Sequence, residues 1–156
     1  MKSAKSPAAF WAIVVFLALS TVLMLISQTT PIFDYDLAVR LGFQNGADTI
    51  TEFGVQVIRA FCVSDTIVFI PLTVLALIGL LLKKRWSLFA TASVTGISIY
   101  WVVAYGFMVS FLNGTPGYHA VLAAPDWIIM GAYAIFGVWT LLYLIFRGER
   151  LVEQAG

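Results

Sequence analysis

Few residues in this chain carry chemistry, and Asp65 is the most demanding of them. It opens an apolar run, and an ionised carboxylate inside hydrocarbon is costly unless it is paired or reaches water. It must therefore face other helices. Asp65 could act as an acid, as the counter-charge to an amine or metal, or as the partner of an arginine; its structural reading is an ion pair that holds helices together, or an interfacial position at the end of a straight helix. Glu52, Arg59, Thr66 and Thr73 recur every seven residues on the same stretch, with Gln56 close to their face. Such a stripe is expected to turn inward. Arg59 and Asp65 are six apart, about 120° around a helix, so they do not pair within it. Tyr105 and Asp126 complete the candidate set of Asp65, Tyr105, Asp126, Arg59 and Glu52, with Asp126 also suited to cap a helix start.

The remaining reactive residues exclude more than they offer. A single Cys62 rules out an intrachain disulfide and a CxxC redox pair, and a single His119 rules out haem held by two histidines of one chain. His119 sits in a Gly/Pro loop and reads as exposed. Asp34 and Asp36 lack the spacing of a calcium loop. The sequence calls for no cofactor and no metal. The basic residues flank apolar runs, which leaves no nucleic-acid footprint.

The elements that position these residues are membrane helices. The 156 residues are 61% hydrophobic and 11% charged, too little charge to cover a soluble domain of this size. The apolar runs Phe10–Ile26, Leu88–Leu112 and Trp127–Phe146 suit a bilayer core, and Thr66–Leu82 does so when extended backward. None alternates as barrel strands do. We expect an all-α, polytopic membrane protein of four transmembrane helices forming one domain over residues 1–156. The first run follows Lys2 and Lys5 but is long for a signal peptide and lacks a clear cleavage site, so it reads as a retained span.

Between the first two runs, Asp34 or Asp36 can cap a short helix whose apolar edge is Phe33, Leu37 and Leu41. It is expected to lie on the membrane interface or to form a lid over the helix ends. Thr49 and Glu52 read as a capping box opening helix two. From Thr49 to Leu82 is 34 residues, about 51 Å, so this helix must project, tilt or break, and Pro71 gives a reason to break. Lys83–Trp86 form a tight turn. Thr91, Thr95, Ser98 and Tyr105 share a side of helix three, suited to close packing or to lining a ligand. Pro125 and Asp126 start helix four, with Tyr133, Gly137 and Trp139 inside it. Arg147, Glu149 and Arg150 read as a solvated tail.

Seven of the nine basic residues (Lys2, Lys5, Lys83, Lys84, Arg85, Arg147 and Arg150) fall on one side of this topology. The positive-inside rule then places both termini in the cytoplasm and the acidic loops outside. Asp65, 17 residues before Leu82, lies about 26 Å up, level with Tyr105 and near Asp126.

The stretch Asp65–Thr–Ile–Val–Phe–Ile–Pro71, followed by Lys83–Lys84–Arg85–Trp86 and preceded by Asp48, resembles the sigma-2 receptor and emopamil-binding (EXPERA) four-helix membrane family. The likeness covers this one region, and the histidine of that family's third helix has no counterpart here. The resemblance implies that Asp65 is the counter-charge for a cationic, sterol-like or amine ligand in a pocket opening laterally to lipid, with isomerase-like chemistry among the outcomes. Three functional readings follow: a bilayer protein binding a small amphipathic or cationic ligand, an accessory subunit packed against a partner membrane protein, or a small transporter working as a homodimer.

Overall fold

The computed structural model describes residues 8–120 and 122–152, so the basic head at Lys2, Lys5 and Pro7 lies outside the described residues. Among the described residues, four helices are long and apolar enough to cross a membrane: α1 (Ala8–Phe33), α3 (Ala47–Leu81), α4 (Trp86–Leu112) and α5 (Ala124–Arg147). The short α2 (Tyr35–Arg40) joins the first two, and α6 (Glu149–Val152) follows the last. The protein is an all-α, polytopic membrane protein.

Prolines decide where the long helices change. Pro31 has no N–H, and its ring crowds the carbonyl of Ser27, four residues back. The helix responds by widening into a π-turn at Leu25–Thr29, and the Gln44 side-chain amide donates to the Ser27 carbonyl at 3.4 Å. Pro71 does the same in α3: Asp65–Phe69 is a π-turn in which the Ile70 N–H donates to the Asp65 carbonyl. The expected break at Pro71 is thus a wide turn placed before the proline, with the helix continuing through it. The two π-turns touch, Thr29 Oγ1 lying 3.3 Å from Thr66 Oγ1.

The start of α3 corrects the sequence reading. Gly46 supplies the extended residue before the helix, and no side chain caps it there. Thr49 lies inside the first turn, where its carbonyl accepts from the His119 N–H at 2.7 Å, and Glu52 is exposed. The capping box is therefore not formed. A cap appears instead at Thr51, whose φ of +66° interrupts the helix and whose hydroxyl accepts from the Gly54 N–H at 3.3 Å. A β-branched residue at positive φ is strained.

Toward the basic end, α3, α4 and α1 pack around Ile13, Leu17, Ala76, Leu80 and Val94. The hydroxyl face of α4 is a packing face. Ser87, Thr91, Thr95 and Ser98 are all buried, and each donates to a carbonyl of its own chain three or four residues back. Satisfied internally, these small side chains let neighbouring helices approach.

The C-terminal tail is only partly solvated. Arg85 and Glu149 form an exposed ion pair at 2.8 Å, but Leu151 and Val152 are buried in the core. Lys83 holds them: its ammonium donates to the Leu151 carbonyl at 3.1 Å and lies 3.5 Å from the Phe10 ring centroid. Lys83 itself takes the left-handed φ of +54° that closes α3, with the Lys84 N–H returning to the Gly79 carbonyl at 2.8 Å. The burial that this docking demands lowers the pKa of Lys83.

Candidate functional site

Asp65 is the first residue of the second π-turn, half-buried among the helices. It lines a small cavity with Ser98 and Trp101 of α4, Tyr133 of α5, Met24 of α1 and Phe69 of its own turn. The space is about 10 Å³, room for about one water-sized group. No described residue forms an ion pair with Asp65.

The polar atoms around this space are arranged unevenly. Ser98 Oγ already donates to the Val94 carbonyl at 2.8 Å, so toward the cavity it offers acceptor lone pairs. The Tyr133 side chain is 5% exposed, and its hydroxyl has no hydrogen-bond partner among the described residues. Ser20 of α1 faces it at the margin of hydrogen-bond reach, short of the geometry of a well-formed bond. An orphaned hydroxyl in an apolar setting costs about 1–3 kcal/mol, which a ligand or an ordered water would recover. Trp101 meets Tyr133 edge to face at 6.1 Å and stacks on Tyr105 at 5.7 Å.

Tyr105 belongs to the next layer toward the acidic end, where Tyr118 and Asp126 are its electrostatic neighbours. Asp126 Oδ2 accepts from the Ala123 N–H at 2.8 Å, the capping role that its position suggests. Arg59 Nη2 donates to the Ile32 carbonyl at 3.1 Å. Its charge thereby sits at the C-terminus of α1, where the helix dipole favours a cation. Glu52 is exposed. The structure thus separates the five candidates: Asp65 lies in the cavity, Tyr105 adjoins it through Trp101, Asp126 and Arg59 cap helices, and Glu52 meets solvent.

No family model, curated protein or solved structure matches this chain.

A tyrosine-rich cap stands beside Tyr105 on the acidic side. Ile50, Val55 and Ala120 form a second small core with Tyr35, Ile58 and Tyr118 packed against it. Tyr35 donates its hydroxyl to the Asn45 carbonyl at 2.9 Å. Burial, with help from Cys62 and Tyr105 and against Arg59, pushes the Tyr35 phenol up to about 12. A raised pKa means that the cap is stabilised by the neutral phenol below pH about 10 and loses that contribution as pH climbs through the folded value. A tyrosinate absorbance titration of Tyr35→Phe, subtracted from that of the wild type, is expected to show one phenol ionising near 12. A difference centred near the ordinary value of about 10 would mean that Tyr35 is not buried in solution.

Among the described residues, no three His, Cys, Asp or Glu side chains gather as metal ligands would. Reading the sequence alone missed Trp101 and Tyr133 as neighbours of Asp65. Tyr133 lies 14 residues before Arg147, about 21 Å along its helix, so a count of depth contains it. Trp101, one turn below Tyr105, was also within reach. The same count set Asp65 level with Tyr105. A π-turn places extra residues in one turn, which shortens the true distance from Asp65 to the basic end.

Proposed function

We propose that this protein binds a small amphipathic or cationic ligand in the bundle, with Asp65 as its counter-charge. One observation carries the reading: a half-buried carboxylate without an ion-pair partner among the described residues shares a cavity with an orphaned tyrosine hydroxyl and the Trp101 ring. A carboxylate beside aromatic rings suits the ammonium head of an organic cation, which gains from both; the space of about 10 Å³ takes that head alone, so the apolar remainder of the ligand must part the helices. The resemblance to the EXPERA family points to the same class of ligand, and isomerase-like turnover would be a further step upon binding. Following the distribution of basic residues, the termini face the cytoplasm and the acidic end faces outward.

The test is thermal stabilisation of the protein in lipid nanodiscs by a panel of alkyl and aryl amines, for the wild type and Asp65→Asn. Binding through the carboxylate predicts that active amines lose at least about tenfold in apparent affinity in the variant. Equal stabilisation of both proteins by every active compound would remove Asp65 from the site.

The accessory-subunit and homodimeric-transporter readings have less support. The Ser/Thr face of α4, the best candidate surface for a partner, is consumed within the chain.

A further inference from the structure

We propose that the acidic end of the bundle is a gate, hinged at the two π-turns, through which solutes reach the Asp65 cavity from water. The packing of the molecule changes at those turns. On the basic side, α3 packs extensively on α4 and α1; on the acidic side, its segment Ala47–Ser64 packs chiefly on the end of α1 and makes no extensive contact with α4 or α5. The helices that continue unbroken form one body, and the segments beyond the wide turns form another.

The second body is tied together by its own hydrogen bonds. Arg59 joins α3 to the Ile32 carbonyl of α1, and Thr29 meets Thr66 between the turns. Gln44 bonds both the Ser27 carbonyl, at 3.4 Å, and the Cys62 sulfur, at 3.8 Å. These bonds cross from α1 and the loop to α3, so the outer parts of both helices are coupled. Both turns sit at equivalent places, each starting six residues before a proline. Prolines and π-turns are where helices bend, because the regular ladder is already interrupted.

Between the two bodies lies a small latch. The His119 N–H donates to the Thr49 carbonyl at 2.7 Å. Tyr118 and Ala120 pack on Ile50 and Val55, and Gly117 approaches the Thr51 methyl so closely that a Cβ there would stand 2.8 Å from it. The latch grips α3 at the strained Thr51, where opening would release a conformation that Thr rarely adopts. Behind it come Tyr105, Trp101 and then Asp65, in layers. Asp65 is itself part of the hinge, so motion of the outer body changes the cavity it lines.

This gate rests on reading the Asp65 cavity as a binding site, yet it is testable without a ligand. Val55 of the outer body is 7% exposed and packs with Ala120 across the latch, so Val55→Cys made together with Cys62→Ala, which removes the chain's single native cysteine, puts a thiol at the seam between the bodies. Its labelling by a charged, water-soluble methanethiosulfonate, followed by mass spectrometry of the peptide that carries it, reports how often that seam opens. In nanodiscs, this reporter should label slowly. Adding Tyr118→Ala, which removes the ring packed there, should speed labelling at least about tenfold, and adding an oxidised Thr49→Cys/His119→Cys pair should slow it at least about tenfold. Equal rates across these proteins would overturn the gate. So would a lock that silences the reporter but leaves the association rate of an Asp65-dependent amine unchanged, because the ligand would then enter elsewhere. If gating behaves as described while no amine depends on Asp65, the gate stands and the ligand reading falls.

Discussion

Asp65→Asn is expected to make the ligand-free protein more stable, raising its melting temperature by a few degrees. Asparagine keeps the shape of the side chain and removes the charge. In the folded bundle the carboxylate is half-buried and no described residue forms an ion pair with it. Charged acids at depth in a span cost about 2.5–3.5 kcal/mol on insertion scales, and water near the cavity recovers part of that. A net gain of about 1–2 kcal/mol is therefore the expected size. Had Asp65 been the structural ion pair that its sequence position also allows, the same substitution would strand a buried partner and cost about 3–5 kcal/mol. The sign of the change separates the two roles. Thermal unfolding in nanodiscs without added ligand measures it, and a fall in melting temperature would mean that the carboxylate holds the bundle together.

Arg59 shows why sequence alone could not choose between those roles. Its spacing from Asp65 correctly excluded a pair within the helix, but it could not reveal that the guanidinium turns to the Ile32 carbonyl. That bond depends on where α1 ends, and α1 ends at Phe33 because Asp34 takes an extended conformation. The spans were legible because hydrocarbon imposes a length and excludes charge, a constraint that each helix satisfies by itself. Asp126 was legible for a similar reason, since a helix start needs only local partners. The cavity was not. It requires that Asp65, Ser98, Trp101 and Tyr133 meet from three helices, and that meeting is set by helix crossing and by a π-turn with no period of its own. The tail was legible in part: Arg147, Glu149 and Arg150 face solvent as they read, while the burial of Leu151 and Val152 depends on Lys83, more than sixty residues earlier.

A close approach of α4 and α5 at Gly137 gives the second large effect, and it bears on the same cavity. Gly137 is buried against α4. A Cβ there would lie 2.8 Å from Ile99 Cγ1 and 3.3 Å from the Thr95 carbonyl oxygen. The first contact is with a movable side chain, the second with backbone. Gly137→Ala is expected to cost about 1–2 kcal/mol, and Gly137→Leu about 3 kcal/mol or more, because leucine can fit only by pushing the helices apart. Tyr133 stands one turn along α5 from Gly137, and Ser98 is next to Ile99 in α4, so separation at Gly137 also opens the space beside Asp65. Adding Ile99→Ala should recover much of the alanine variant's loss, since it removes the nearer clash, and little of the leucine variant's. Unfolding measurements on the two single glycine variants and their doubles would show this coupling. Equal stability of wild type and Gly137→Leu would mean that α4 and α5 do not approach as closely in the membrane, and the cavity between Ser98 and Tyr133 would lose its frame.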